Sequence, residues 1–147
     1  WRLAFAAGND QMIEALNLIQ DHLFVGIFPA LQEAGIAALL DPKSEEAVAQ
    51  LNATYDSRRD AFVQTAAKIG WQAFPSKGSF YAWMPVPEGY TSESFADLLL
   101  EKAHVAVAPG KGFGPAGDAY VRIGLLVEPE RLVEAVNRIA DLHLFNN

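Results

Sequence analysis

PGKGFGPAGDAYVRIGL, residues 109–125, contains a literal G-x-G-x-x-G at Gly112, Gly114 and Gly117. How this stretch is read decides the fold. A dinucleotide-binding loop sets its glycines between a strand and a helix, and the helix N-terminus faces the pyrophosphate. Here the residues that follow Gly117 are DAYVRIGL, an alternating, β-branched run with no helix start. The glycines therefore lie between two strands. No Walker pattern is present either, because Lys111 precedes Gly112 and no Gly-Lys-Ser/Thr occurs. The stretch reads as a turn-rich connection that needs positive φ and tight backbone approach.

The strand that leaves this loop is more informative. Tyr120, Arg122 and Gly124 share one face, and Val121, Ile123 and Leu125 share the other. The second set is a core face. Arg122 then projects from mid-strand beside a glycine that leaves room next to it. Two readings are open on spacing alone. One is an exposed or salt-bridged strand arginine, the common fate of a long charged side chain. The other is a guanidinium fork holding a carboxylate through two parallel hydrogen bonds. Arg2 is ambiguous in the same way, as a strand-end arginine or a phosphate contact.

Outward from the loop, HVAVA (104–108) and AYVRIGLL (119–126) read as strands, and so do WQAF (71–74) and SFYAWM (79–84) around the turn PSKG. Ser44 as N-cap, followed by Glu45 and Glu46, predicts a long helix with Val48, Leu51, Tyr55, Phe62, Ala66 and Ile69 on its apolar stripe, stopped by Gly70. Thr91 is placed to cap a helix running to about Ala103, and Pro129 to open a last one bearing Leu132, Val133, Val136, Ile139 and Leu142. The order from Ser44 is helix, two strands, helix, two strands, helix. That predicts an α+β layer with one sheet covered mainly on one face. The first 40 or so residues stand apart: a short strand WRLAFAAG (1–8), a helix capped by Asn9 or Asp10, and a second helix after Pro29.

Composition narrows the function classes. Hydrophobic residues make up 51% and charged residues 20% of the 147, a globular composition. The net charge of −7 with scattered Lys and Arg argues against nucleic acid as a partner. The absence of cysteine excludes disulfides and thiolate metal sites and fits a cytoplasmic setting. No apolar run has membrane-spanning length, so no membrane is expected. His22, His104 and His143 lack metal-ligand spacing, and no metal site is expected. The chain opens on Trp1-Arg2 without an initiator Met, and we expect a piece of a longer protein.

WRLAFAAGN, KGSFYAWMPVPEG and VAVAPGKGFGPAGDAYVRIGLL together resemble class I/II aminotransferases, pyridoxal-phosphate enzymes of the aspartate aminotransferase-like fold. The resemblance covers only that family's C-terminal part. It implies a remnant of the large cofactor-binding domain at 1–43 and the small C-terminal domain at 44–147. It also implies that Arg122 binds the substrate's α-carboxylate and that Arg2 contacts the phosphate of pyridoxal 5'-phosphate. The family's Schiff-base lysine is expected upstream of Trp1. Lys43, Lys68, Lys77, Lys102 and Lys111 do not sit in its motif, so no catalytic residue is expected in this chain and the chain alone is expected to be inactive.

The full-length protein is then expected to transfer an amino group between an amino acid and a 2-oxo acid, as a homodimer. Residues 1–40 are expected to need a partner surface, so the isolated chain is expected to self-associate or to be locally disordered. Two other readings remain: a non-catalytic carboxylate-binding regulatory module built on Arg122, and a pyridoxal-phosphate lyase or synthase of the same fold.

Overall fold

A computed structural model describes residues 2–74 and 76–145. Trp1, read as opening a strand, and Pro75, read as part of a turn, lie outside the described residues. The chain divides into two compact units, Trp1–Ala49 and Gln50–Asn147.

In the first unit, α1 (Asp10–Ile19) starts where the Asn9 side chain accepts the backbone N–H of Gln11. A π turn, Gln20–Phe24, continues it, and Val25 and Gly26 follow at positive φ. The helix α2 (Pro29–Leu40) has Pro29 at its first position, where the missing N–H costs nothing. Residues 2–7 form no strand, contrary to the expectation. The segment is mostly apolar, but a strand exists only by pairing, and no ladder partner is present among the described residues. Phe5 is 90% exposed, and Leu39 and Leu40 are each 76% exposed. Leu3, Phe5, Ile13, Leu16, Phe24 and Leu31 help line an open apolar groove of about 1090 Å³.

A 25-residue helix, α3 (Ser44–Lys68), leads into the second unit. Ser44 is its first helical residue rather than its cap. Gly70, at φ 81°, follows its end. Phe62 and Ala66 of the expected stripe are buried, whereas Val48 and Leu51 are exposed. Among the described residues the sheet has three antiparallel strands in the order β1 (Tyr81–Pro85), β3 (Tyr120–Gly124), β2 (Ala108–Pro109). The helices α4 (Ser92–Leu98) and α5 (Pro129–Ala140) complete the unit. Thr91 caps α4 through a reciprocal box with Ser94, and a π turn, Leu99–Ala103, extends it to the expected length.

The second unit is α+β, as expected, with a smaller sheet. WQAF does not form a strand; the backbone N–H of Phe74 donates to the Trp83 carbonyl without a continuing ladder. HVAVA pairs only at its end, Ala108. The apolar residues in both segments are buried by packing instead. Trp71 is 1% exposed, meets the rings of Phe62, Phe95 and Phe145, and donates Nε1–H to the Pro85 carbonyl at 2.8 Å. Ala82, Met84, Val121, Ile123, Leu132, Val136 and Ile139 complete the core. The opposite sheet face is half-buried, and it is there that Arg122 lies. Phe80 lies outside β1 and is 42% exposed, and Trp83 is half-buried, so both rings stay outside the core.

Candidate carboxylate-binding site

The glycines of the opening stretch divide their work. Gly114 sits at φ 122°, a backbone that L side chains rarely adopt. A Cβ on Gly117 would fall 2.1 Å from the Gly110 carbonyl oxygen, and a Cβ on Gly110 would fall 2.1 Å from that of Gly117. Gly112 faces open space. The loop between β2 and β3 is therefore two short 3₁₀ turns, Gly110–Phe113 and Pro115–Ala119, joined at Gly114 and closed by two crossing backbones. No helix follows it, so there is no helix N-terminus to hold a pyrophosphate.

The loop delivers the chain to β3, the central strand. Arg122 is opposite Trp83 of β1 and Ala108 of β2. The burial of β3 alternates as the period-2 reading requires, with Val121 and Ile123 buried and Arg122 half-buried on the other face. The Arg122 Cζ lies 4.1 Å from the ring centroid of Tyr81 and 4.1 Å from that of Phe113. Edge-on contacts extend this cluster from Phe113 to Trp83 and from Trp83 to Tyr120. Among the described residues no carboxylate pairs with Arg122, so neither of the simple fates of a strand arginine, open water or a salt bridge, applies. A guanidinium stacked on rings keeps its in-plane N–H groups for an incoming acceptor, and each stack is worth about 0.5–2 kcal/mol.

Arg2 lies in the first unit, is exposed, and has no acceptor among the described residues. The five lysines are all exposed. Glu93, hydrogen-bonded to Lys111, raises the ammonium pKa of that lysine, the opposite of what a nucleophilic amine requires. No group of His, Asp or Glu among the described residues is arranged to hold a metal ion. No helix among them is long and apolar enough to cross a membrane. Phe113 and Tyr81 are the members of the site that sequence reasoning misses. The one available signal is a large aromatic inside a glycine loop, where a small or polar residue is the rule.

Residues 1–139 match the family described as aminotransferase class I and II, and the chain belongs to that family. Members of this family depend on pyridoxal phosphate. The chain is 57% identical over 145 residues to the L-glutamine--4-(methylsulfanyl)-2-oxobutanoate aminotransferase of Bacillus subtilis (strain 168), covering 99% of this chain and 36% of that protein. It is 45% identical over 139 residues to the LL-diaminopimelate aminotransferase of Moorella thermoacetica, covering 95% of this chain and 35% of that protein. The substrate-bound structure of BacF from Bacillus subtilis superposes with a TM-score of 0.90 at 44% identity, covering 99% of this chain and 37% of that one. The chain thus spans little more than a third of the length of these relatives.

Proposed function

We propose that this chain is the substrate-carboxylate-binding portion of a pyridoxal-phosphate-dependent aminotransferase that moves an amino group between an amino acid and a 2-oxo acid. The observation behind the proposal is Arg122: a half-buried guanidinium held by two rings, with no anion of its own among the described residues. Such a group accepts a carboxylate through two parallel N–H bonds. It fixes the amino acid's orientation and so the direction of its Cα–H bond. Any substrate must then carry a free carboxylate.

Arg2 suits the cofactor phosphate, being cationic and without an acceptor among the described residues, while the exposed lysines do not suit the cofactor's carbonyl. The cofactor, when bound, supplies an electron sink for the bonds at Cα. Residues 1–43 belong, in this reading, to the large domain and 44–147 to the small one. The exposed apolar side chains of the first unit support a covering surface from the rest of a dimeric, cytoplasmic enzyme, or self-association when the chain is alone.

The test is an assay of the full-length protein and of this chain with pyridoxal phosphate. The identities above put glutamine with 4-(methylsulfanyl)-2-oxobutanoate first and LL-diaminopimelate second. Full-length turnover that falls when Arg122 is replaced, with none from the isolated chain, is the expected result. Turnover by this chain alone would refute the reading that its Schiff-base lysine lies elsewhere.

A further inference from the structure

The loop between β2 and β3 is moored to the start of α4 near both of its ends. Ser92 is fully buried. Its hydroxyl donates to Asp118 Oδ1 at 2.7 Å and accepts the backbone N–H of Lys111 at 3.2 Å. Its own backbone N–H donates to the same Asp118 oxygen at 3.2 Å. Lys111 Nζ adds an exposed ion pair to Glu93 at 2.8 Å, which by itself contributes little. Lys111 and Asp118 bracket the loop, and Phe113 stands between them, half exposed, with its ring on Arg122.

Short 3₁₀ turns joined through a glycine hold their own shape weakly. The tethers to Ser92 supply what the turns lack. A buried hydroxyl hydrogen-bonded at once to the half-buried Asp118 carboxylate and to the Lys111 backbone specifies one arrangement where apolar packing would tolerate several. The arrangement it specifies places Phe113. A long arginine side chain has much rotamer freedom to lose on binding a ligand, and a ring held over its guanidinium removes part of that cost in advance.

We infer that Ser92 and Asp118 are positioning residues for the substrate carboxylate, acting through Phe113 to hold the Arg122 guanidinium ready. This rests on the carboxylate-binding role proposed for Arg122. Neither residue belongs to the ring cluster around Arg122, so loosening them weakens binding while the chemistry at Cα proceeds unchanged.

The experiment uses the full-length protein and the variants Asp118→Asn, Phe113→Leu and their combination. KM and kcat are measured for the amino-acid donor. The Kd of pentanoate, a carboxylate with no amino or oxo group, is measured by calorimetry. Asp118→Asn is expected to raise KM and Kd about five- to tenfold, with kcat changed less than about twofold. In the Phe113→Leu background the same change is expected to add nothing. Ser92→Ala gives the same reading should Asp118→Asn fail to fold. Additive effects of Asp118→Asn and Phe113→Leu, or a fall in kcat at constant KM, would overturn the inference. Arg122→Ala separates the two levels. If it leaves pentanoate binding unchanged, the carboxylate reading falls and this inference with it. If it weakens binding while Asp118→Asn and Ser92→Ala do not, only the positioning role falls.

Discussion

Gly110 and Gly117 cross so closely that a methyl group on either would lie 2.1 Å from the carbonyl oxygen of the other. Both obstructing atoms are backbone, so neither can swing aside. Gly117→Ala is expected to destabilise the protein by at least about 1–3 kcal/mol, the range of overpacking. Gly112 is the control within the same loop. It has open space where a Cβ would go and no positive φ, so Gly112→Ala is expected to be near neutral. Thermal unfolding of the two alanine variants side by side checks the contrast, and equal midpoints would contradict the crossing.

Arg122→Lys keeps the charge but loses the planar fork and its stacking on Tyr81 and Phe113. In the full-length protein, kcat/KM for amino-acid donors is expected to fall roughly ten- to a hundredfold, the cost of charge-assisted hydrogen bonds. Steady-state kinetics measure it. An unchanged kcat/KM would remove Arg122 from the substrate site.

Ser92 holds the Asp118 carboxyl below the ordinary carboxylate range, first through its hydroxyl and then through its backbone N–H. The folded protein therefore takes up this proton at lower pH than the unfolded chain does. The stabilisation is complete above the unfolded value of about 3.9 and fades as pH falls through the folded one. Urea midpoints of the wild type and Asp118→Asn are expected to differ at pH 7 and to converge below about pH 4. A gap that stays constant with pH would show that the carboxylate charge is irrelevant.

Trp71→Phe retains an aromatic ring among Phe62, Phe95 and Phe145 but removes the donor to the Pro85 carbonyl. The expected loss is about 1 kcal/mol, the low end of the cost of an acceptor left unpaired, because the Pro85 carbonyl is only part-buried. Trp71→Ala is expected to cost about 3–5 kcal/mol. Denaturant unfolding ranks the two, and a phenylalanine variant as stable as wild type would show that water replaces the indole.

Helices are legible in this chain because their ends are written locally. Asn9, Pro29, Thr91 and Pro129 each stand where a helix begins. The alternation in 120–124 likewise places Arg122 on the open face of a strand. Segments 71–74 and 104–107 read as strands but are not, because an apolar run records burial and not its means. Trp71 is buried by rings, and Val105 and Val107 pack partly against the core. The surroundings of Arg122 are illegible for a different reason. Tyr81, Phe113 and Arg122 come from three separate segments, and Ser92 meets Asp118 across 26 positions. Only the fold brings them together.

Among the described residues, Arg122 is surrounded by rings rather than by a carboxylate, and this has a consequence for traffic through the proposed carboxylate site. Were the guanidinium paired with an acidic side chain, every arriving carboxylate would have to displace a resident one, and each departure would let the resident return. Aromatic faces do not compete for the N–H groups. On the proposed reading of Arg122, arrival is simple addition to a positive charge that no carboxylate among the described residues occupies, opposed by hydration and by small anions from solution. Rising chloride is therefore a natural antagonist of loading at this position.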